Sequence, residues 1–389
     1  MSKWSFFKAR EKEEKREYRY VLSIDGGGMR GIIPAYVISR MEDDLKNIFH
    51  DDRPFYSHFD LISGTSTGSL IAIGLTTPVE KTVFSQKNNF IHTYKTEKTG
   101  RFFKKEIEIF AGDIEELTSA KEILDLYKKN GHRIFQAHKG LKNLFGPIFN
   151  DRYDPLSLEG FLFETLGETK ISESIVPTMA VSYDTITSTP FVFTSEEDHG
   201  FYSREVARAS SAAPTYFPSA NMIDRKTGRA LTLIDGGVVA NNPALITYAE
   251  ARRLYPKADE IRMLSLSTCA PKHTVDVQNT TSGAIAWASP LFKAYSEGQM
   301  ALVDDIAPNI KDLEYTRIWT EGGVKKIRLD DCSEEAMEAL LQIASNAYDN
   351  NKEKIHSFLA NIAQEPTHDV VKLRNKPKLL EADTIYKLN

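Results

Sequence analysis

The chain contains only two cysteines in 389 residues, Cys269 and Cys332, and no second cysteine lies close to either one. Such sparse cysteines support neither a disulfide scaffold nor a zinc site built from thiolates. They are typical of a protein that folds in a reducing compartment. We therefore expect a cytoplasmic protein.

Long apolar runs are also missing. No uninterrupted run approaches the roughly 18 residues that a membrane-spanning helix needs. The N-terminal segment MSKWSFFKAREKEEKREYR lacks the apolar stretch of a secretory signal. If the substrate is a lipid, we expect the protein to reach the membrane from the cytoplasm, as a peripheral protein.

No excess of one charge is present, since 49 Lys and Arg residues face 54 Asp and Glu residues, for a formal net charge of −5. Without a global basic field, the chain is not expected to bind nucleic acid. The hydrophobic fraction of 41% is ordinary for a soluble globular protein. We see no cluster of metal-ligating residues and expect neither a metal nor a cofactor.

Short apolar runs and glycine clusters alternate near the N-terminus. Tyr20–Ile24 reads as a strand, and the glycine run 26–31 leads into a helix with Pro34 in its first turn. Phe59–Ser63 reads as a second strand, followed by a tight turn and a helix over Ser69–Leu75. This order predicts a βαβα unit with parallel strands and a right-handed crossover.

The alternation continues to about residue 270, which predicts one doubly wound α/β domain with insertions. A long helix is expected over Glu334–Ala363. The expected organisation is a charged N-terminal arm (1–17), a catalytic core (18–270) with an insert at about 80–117, a mostly helical extension of the same domain (271–365) and a tail (366–389).

The segment Gly64-Thr65-Ser66-Thr67-Gly68 is a G-x-S-x-G element with a strand before it and a helix after it. In that setting the two glycines permit a sharp turn that lifts the Ser66 hydroxyl above the edge of the sheet. A chance turn of small residues is the alternative explanation. The strand–turn–helix context favours a nucleophilic serine.

The glycine run has two possible roles. The run follows a strand and leads into a helix. Its backbone N–H groups are therefore suited to stabilise an oxyanion beside Ser66. The same run, with Gly26, Gly28 and Gly31, matches a dinucleotide-binding loop. That loop needs an acidic residue at the end of the second strand, where this chain has its serine turn instead.

A serine nucleophile also needs a base. Asp235 ends the predicted strand Leu231–Ile234 and is followed by two glycines, so its carboxylate is expected to be partly desolvated and unusually basic. An Asp-Gly hairpin turn is the alternative. A triad would need a later histidine, and the candidates all lie in polar or helical contexts: His273, His356 and His368.

Three motifs in this order, DGGGMRG (25–31), GTSTG (64–68) and DGG (235–237), resemble those of the patatin-like phospholipases. SSAAPTYFP (210–218) resembles the family segment before the DGG strand, and residues 145–171 are similar to a stretch of plant storage patatins. The resemblance covers roughly residues 18–363. It implies a three-layer α/β/α fold around a mainly parallel sheet.

The resemblance also implies a catalytic dyad without histidine, in which Ser66 is the nucleophile and Asp235 the base. It implies an oxyanion hole from Gly26, Gly27 and Gly28, with Arg30 lending charge nearby. The supporting motif glycines are Gly31, Gly64, Gly68, Gly236 and Gly237. Family members cleave fatty acyl esters of phospholipids or other acylglycerols without calcium, so a phospholipase A-type lipid acyl hydrolase is expected.

Two departures leave alternatives open. Plant patatins carry a secretory signal, which we do not expect in this chain, and this chain is longer between Pro78 and Ser119. That insert contains the cluster Arg101–Lys105, two phenylalanines flanked by cations, which suits either an anionic membrane surface or a solvated loop. Trp4, Phe6 and Phe7, beside basic residues in the N-terminal arm, pose the same choice.

Length and the missing signal also resemble bacterial cytosolic patatin-like phospholipases that cyclic nucleotides activate in anti-phage defence. A nucleotide activator is therefore an alternative expectation, although no residues identify its site. A catalytically silent lipid-binding or storage protein is the alternative from another class. The retained serine, aspartate and glycine run argue against it.

Overall fold

The computed structural model describes residues 17–78, 119–135, 153–269, 283–321 and 327–365, and it gives the backbone alone for 94–99, 105–110 and 283–293. Residues 1–16 of the predicted arm, the tail at 366–389 and residues 101–104 of the aromatic and cationic cluster lie outside the described residues, as does His273.

Ten strands are described: β1 Tyr18–Ile24, β2 Leu61–Thr65, β3 Tyr94–Thr99, β4 Lys105–Phe110, β5 Thr178–Asp184, β6 Thr189–Thr194, β7 Ala220–Ile223, β8 Ala230–Asp235, β9 Glu260–Leu266 and β10 Leu313–Ile318. Eight form the central sheet in the order β10-β9-β1-β2-β5-β8-β7, with β6 paired to β5. The strands β3 and β4 form a separate antiparallel pair in the predicted insert.

The described helices are α1 Ile32–Asn47, α2 Thr67–Thr76, α3 Ala120–Ile134, α4 Pro155–Leu166, α5 Ser203–Ser210, α6 Gly237–Ala240, α7 Ala244–Leu254, α8 Gly283–Ile306, α9 Glu334–Asn350 and α10 Lys352–Gln364. Short 3-10 turns occupy Gly28–Gly31, Phe55–His58, Ile171–Glu173 and Ala307–Asn309.

The five strands from β10 to β5 are mutually parallel, β6 and β8 pair with β5 in antiparallel fashion, and β7 pairs antiparallel with β8. Side chains of β1 alternate between two cores: Tyr20 and Leu22 pack with α1, α9 and α10, whereas Val21 packs with α7 and the end of α8. Because helices cover both faces of the sheet, the expected three-layer α/β/α fold with a mainly parallel sheet is confirmed.

One local expectation needs correction, and the strand β10 was not predicted. The helix predicted over residues 334–363 is two helices, which Asn351 separates while its Nδ2 donates to the carbonyls of Trp319 and Ala347, both at 2.8 Å. The strand β10, with the sequence LEYTRI, was not predicted because polar residues occupy its interior. It adds to β9 within the predicted C-terminal extension, and the division of the chain at residue 270 stays a prediction.

Candidate active site

Ser66 stands at the turn between β2 and α2 in a strained conformation, with φ 53° and ψ −123°. Positive φ is uncommon for a residue with a side chain and persists where the surroundings enforce it. A Cβ on Gly64 would lie 2.1 Å from the carbonyl of Gly68, and a Cβ on Gly68 would lie 2.2 Å from the Ile24 carbonyl oxygen. Both glycines are therefore needed for the turn to close against β1.

Hydrogen bonds from three sides hold the serine turn. The Ser66 N–H donates to Ser210 Oγ at 3.0 Å, and that hydroxyl donates to the Val181 carbonyl at 2.6 Å. The Ser66 carbonyl accepts from the N–H of Ser69 at 2.9 Å and from its hydroxyl at 2.6 Å. The Tyr127 hydroxyl contacts the Thr67 hydroxyl and donates to the Thr67 carbonyl at 3.1 Å. The side chain of Ser66 is thus presented by a rigid frame.

Asp235 is the last residue of β8, and its side chain is buried beside Ser66. The carboxylate accepts a hydrogen bond from the Gly237 N–H at 2.7 Å, and the Ser66 hydroxyl lies next to it. Burial raises the pKa of the Asp235 carboxyl to about 6, although Ser66 and the Gly237 N–H act in the opposite direction. The pair therefore couples an alcohol to a carboxylate that is more basic than an ordinary aspartate.

Strand β5 brings the two residues together. Its residues Thr178–Val181 pair with β2, which runs parallel and ends where Thr65 meets Val181. Its next residues pair with β8, which runs in the opposite direction and ends where Asp235 meets Ser182. Because β6 occupies the other side of β5, β2 and β8 share one side and end facing each other. Ser66 and Asp235 lie on the two sides of that junction.

The glycine run lies against the same junction, since a Cβ on Gly26 would lie 3.2 Å from the Ser66 Cβ. The Gly26 N–H donates to the Asn241 carbonyl at 2.9 Å, so the donor role expected for Gly26 is corrected. Within the described part of the chain, the N–H groups of Gly27 and Gly28 donate to no protein acceptor. These two groups are therefore available as hydrogen-bond donors beside Ser66.

The conformation of the run is set by contacts on its outer side. Gly28 has φ 58°, and a Cβ there would lie 2.4 Å from the Leu329 carbonyl oxygen, which accepts the Met29 N–H at 2.8 Å. Arg30 directs its Nε toward the Gly27 carbonyl at 3.4 Å, and burial lowers the pKa of its guanidinium. The Arg30 side chain therefore lies beside the backbone that carries the N–H groups of Gly27 and Gly28.

Among the described residues, the groups that affect the pKa of Asp235 are Ser66 and Gly237, and no histidine is one of them. His356 binds Asp44 at 3.0 Å, where α10 packs on α1, and is committed to that contact. His273 and His368 lie outside the described residues. Across the described ranges, no group of three or more His, Cys, Asp or Glu side chains is arranged to hold a metal ion.

Sequence reasoning missed several residues that shape this site. Ser210 belongs to the SSAAPTYFP segment, which was noted only for its resemblance, and Ala212 of that segment accepts the Asp235 N–H at 3.0 Å. Asn241 and Thr268 both donate to the Gly26 carbonyl, at 3.3 and 2.7 Å. The Asn-Asn-Pro sequence after the DGG motif was the available signal for Asn241.

The fold and this site define a class, the three-layer α/β proteins that hold a G-x-S-x-G serine at a strand-to-helix turn. Within that class, the family model described as "Patatin-like phospholipase" matches residues 22–248. The chain belongs to the patatin-like phospholipase family and, with it, to the carboxylic ester hydrolases. Its predicted family is thereby confirmed, whereas a bacterial origin stays a prediction.

Three plant relatives illustrate the range of similarity. The chain is 29% identical to patatin-like protein 2 of Arabidopsis thaliana in an alignment of 320 positions that covers 73% of this chain and 70% of that protein. It is 32% identical to patatin-15 of Solanum tuberosum over 246 residues, 60% of this chain and 53% of that protein. Patatin-like protein 2 of Oryza sativa subsp. japonica is 26% identical in an alignment of 390 positions, which covers 88% of this chain and 86% of that protein.

Proposed function

We propose that this chain is a phospholipase A-type lipid acyl hydrolase that works through a Ser66–Asp235 dyad. The observation that carries the proposal is the contact between the Ser66 hydroxyl and a buried carboxylate whose pKa is raised to about 6. A base of that pKa is largely ionised at pH 7, and it is more basic than an ordinary aspartate. The family membership supports an acyl lipid as the substrate.

The first half-reaction forms an acyl-enzyme. The Ser66 oxygen attacks the acyl carbonyl carbon while its proton moves to the Asp235 carboxylate. The carbonyl π electrons move to the oxygen, and the N–H groups of Gly27 and Gly28 stabilise the resulting oxyanion. When the tetrahedral intermediate collapses, the bond to the lysolipid oxygen breaks and that oxygen takes the proton from Asp235.

The second half-reaction returns the enzyme to its starting state. Asp235 accepts a proton from a water molecule, and the resulting hydroxide attacks the acyl carbon of the ester on Ser66. The oxyanion forms at the same two N–H groups. Collapse breaks the bond to the Ser66 oxygen, which recovers its proton from Asp235, and a free fatty acid leaves. These steps assign no role to calcium or to a cofactor.

Peripheral membrane contact is part of the proposal. Three large apolar side chains, Tyr295, Leu302 and Ile306, are exposed at intervals of seven and four residues, so they share one face of α8. The same helix also contacts the segment after Asp235, where Gln299 Nε2 donates to the Val238 carbonyl at 3.2 Å. Among the described residues, no helix has the length and apolar character needed to cross a bilayer.

The experiment is lipid mass spectrometry of a native membrane extract incubated with wild-type or Ser66→Ala protein. Wild type should release free fatty acids and lysolipids, in EDTA as well as in calcium, and Ser66→Ala should release neither. Equal release by Ser66→Ala would remove Ser66 from its role. A parallel arm with cyclic dinucleotides tests the nucleotide-activated alternative, which requires that product form only when a nucleotide is added.

A further inference from the structure

A buried ion pair lies directly behind the glycine run. Asp25, the residue before Gly26, has no exposed surface and pairs with Arg317 through two parallel contacts, Nη1 to Oδ1 at 2.9 Å and Nη2 to Oδ2 at 2.6 Å. This fork-to-fork arrangement fixes the carboxylate in orientation as well as in distance. Asp25 is the last residue before the glycine run, and Arg317 of β10 therefore holds its side chain in place.

The arginine reaches Asp25 across the strand between them. Arg317 is in register with Ser265 of β9, which is in register with Ser23 of β1. On the way, Arg317 Nη1 donates to Ser265 Oγ at 2.8 Å. The backbone of Asp25 is held on the same side, since its N–H donates to the Leu266 carbonyl at 3.0 Å. Both main chain and side chain of Asp25 are thus anchored to the β9 and β10 edge of the sheet.

The same network extends to the segment that follows the base. Arg317 Nε lies 3.2 Å from Asp304 Oδ1 on α8, and the Tyr315 hydroxyl donates to that oxygen at 3.0 Å. Asn242, seven positions after Asp235, donates to Asp304 Oδ1 at 3.3 Å and caps the N-terminus of α7 through the Ala244 N–H at 3.0 Å. One arginine therefore connects the start of the glycine run with the chain that leaves the DGG motif.

Stability alone does not account for this pair. Burial raises the pKa of the Asp25 carboxyl, and the Arg317 guanidinium acts against that shift. Replacing a buried ion pair by uncharged residues of similar size is often neutral or stabilising, whereas removing one partner is costly. The orientation that Arg317 imposes on Asp25 better explains why this position holds an ion pair. Arg317 and Asp304 also lie beyond residues 22–248, which the family model matches.

We propose that Arg317 is a positioning residue for ester hydrolysis. By fixing Asp25, it keeps the N–H groups of Gly27 and Gly28 aimed at the oxygen of an acyl carbonyl beside Ser66. The inference rests on the proposed function, in which those groups stabilise the oxyanion. A displacement of about 1 Å between a catalytic group and the substrate lowers the reaction rate by as much as ~100-fold. Loss of the Arg317 contact should lower kcat, because the oxyanion forms only in the transition state.

The test separates rate from stability with a double variant. Arg317→Met alone leaves the Asp25 carboxylate buried without its cation, so both melting temperature and activity should fall. Asp25→Asn/Arg317→Met removes both charges and should recover most of the melting temperature. We expect its kcat to stay about 10- to 100-fold below wild type with KM nearly unchanged.

A matched control exists at the opposite end of the same strands. Asp60 precedes β2, is buried and pairs with Arg19 at 3.2 Å, away from Ser66. Asp60→Asn/Arg19→Met should resemble the first double variant in stability and keep the wild-type kcat. This control reports what the loss of a buried ion pair does when no oxyanion donor is nearby.

A wild-type kcat in Asp25→Asn/Arg317→Met would overturn the inference, as would an equal loss in the Asp60 control. If the first double variant does not fold, Arg317→Lys decides, because it keeps the charge but loses the fork. Its kcat should fall at unchanged KM, and a wild-type kcat would contradict the role. Turnover by Ser66→Ala in the same assay would overturn the proposed function as well, which distinguishes the two failures.

Discussion

Ser66 and Asp235 stand at the facing ends of two strands that approach each other along one side of β5. The register places Thr65 opposite Val181 and Asp235 opposite Ser182, so consecutive residues of β5 carry the two strand ends. The hydroxyl and the carboxylate meet because the sheet changes from parallel to antiparallel at this point. Two residues separated by 169 positions in sequence are thus positioned by adjacent residues of one strand.

The activity should show an acidic limb with an apparent pKa of about 6, the value to which burial raises the pKa of Asp235. Only the ionised carboxylate accepts the Ser66 proton, so kcat/KM should rise tenfold per pH unit up to that value and then level off. Initial rates on a neutral ester between pH 4 and 9 measure the limb. The limb should persist in His273→Ala, and its loss there would assign it to an imidazole.

Asp235→Asn should be inactive and yet more stable than wild type above pH 6. The folded-state pKa is raised from 3.8 to about 6, so the wild-type fold favours the protonated acid and loses stability as the pH rises through that interval. Two pKa units correspond to about 3 kcal/mol, which the variant should gain by pH 7 and lack at pH 3. Urea unfolding at both pH values measures the difference.

Equal stabilities of wild type and Asp235→Asn at pH 7 would show that the carboxylate is not buried at a cost. Asp235→Glu is the matched control for chemistry, because it keeps the charge but displaces it by one methylene. It should also lose most activity, without the gain in stability.

Gly68→Ala should destabilise the protein by about 1–3 kcal/mol, because the added methyl group meets the backbone of β1. We expect the displaced serine turn to lower kcat by at least ~10-fold. Gly160 on α4 is the control, since a Cβ there meets nothing within 4 Å. Gly160→Ala should keep full activity and stabilise the helix by about 0.5–1 kcal/mol. A fully active Gly68→Ala would contradict the tight turn.

Ser210→Ala should lower kcat by loosening the serine turn. Its hydroxyl accepts the Ser66 N–H and donates to Val181, so the variant leaves two buried groups without that partner, at about 1–3 kcal/mol. Ser211→Ala is the control, because its hydroxyl donates only within the same stretch of chain, to Ala207. Steady-state rates of the two variants should differ, and equal rates would deny Ser210 its role.

Much of the fold was predictable because its signals are local. The apolar runs of β1 and β2 and the glycines around Ser66 are local features of the sequence, and both strands begin and end within two residues of their predicted positions. The strand β10 escaped prediction because Glu314 and Arg317 interrupt its apolar pattern. Arg317 pairs with Asp25, which follows β1 and is far away in sequence, so no local pattern could indicate why this position is charged.

The site was predictable in its motif residues and not in the residues that orient them. Gly64 and Gly68 lie on either side of Ser66, and two glycines follow Asp235. Glycines at such positions indicate that other segments of backbone pack closely there. By contrast, Asn241 acts on Gly26, and Ser210 acts on Ser66, through contacts between segments more than 140 positions apart. Nothing in the sequence distinguished the occupied Gly26 N–H from the free N–H groups of Gly27 and Gly28.

The most direct measurement of the Ser66–Asp235 dyad is the rate at which a fluorophosphonate labels the protein at pH 8, followed by intact-protein mass spectrometry. Wild type should gain one adduct, mapped to Ser66 by peptide analysis, and Ser66→Ala should gain none. Asp235→Asn should label at least ~100-fold more slowly, because the hydroxyl has lost its base. Labelling of Asp235→Asn at the wild-type rate, or an adduct on another residue, would contradict the dyad.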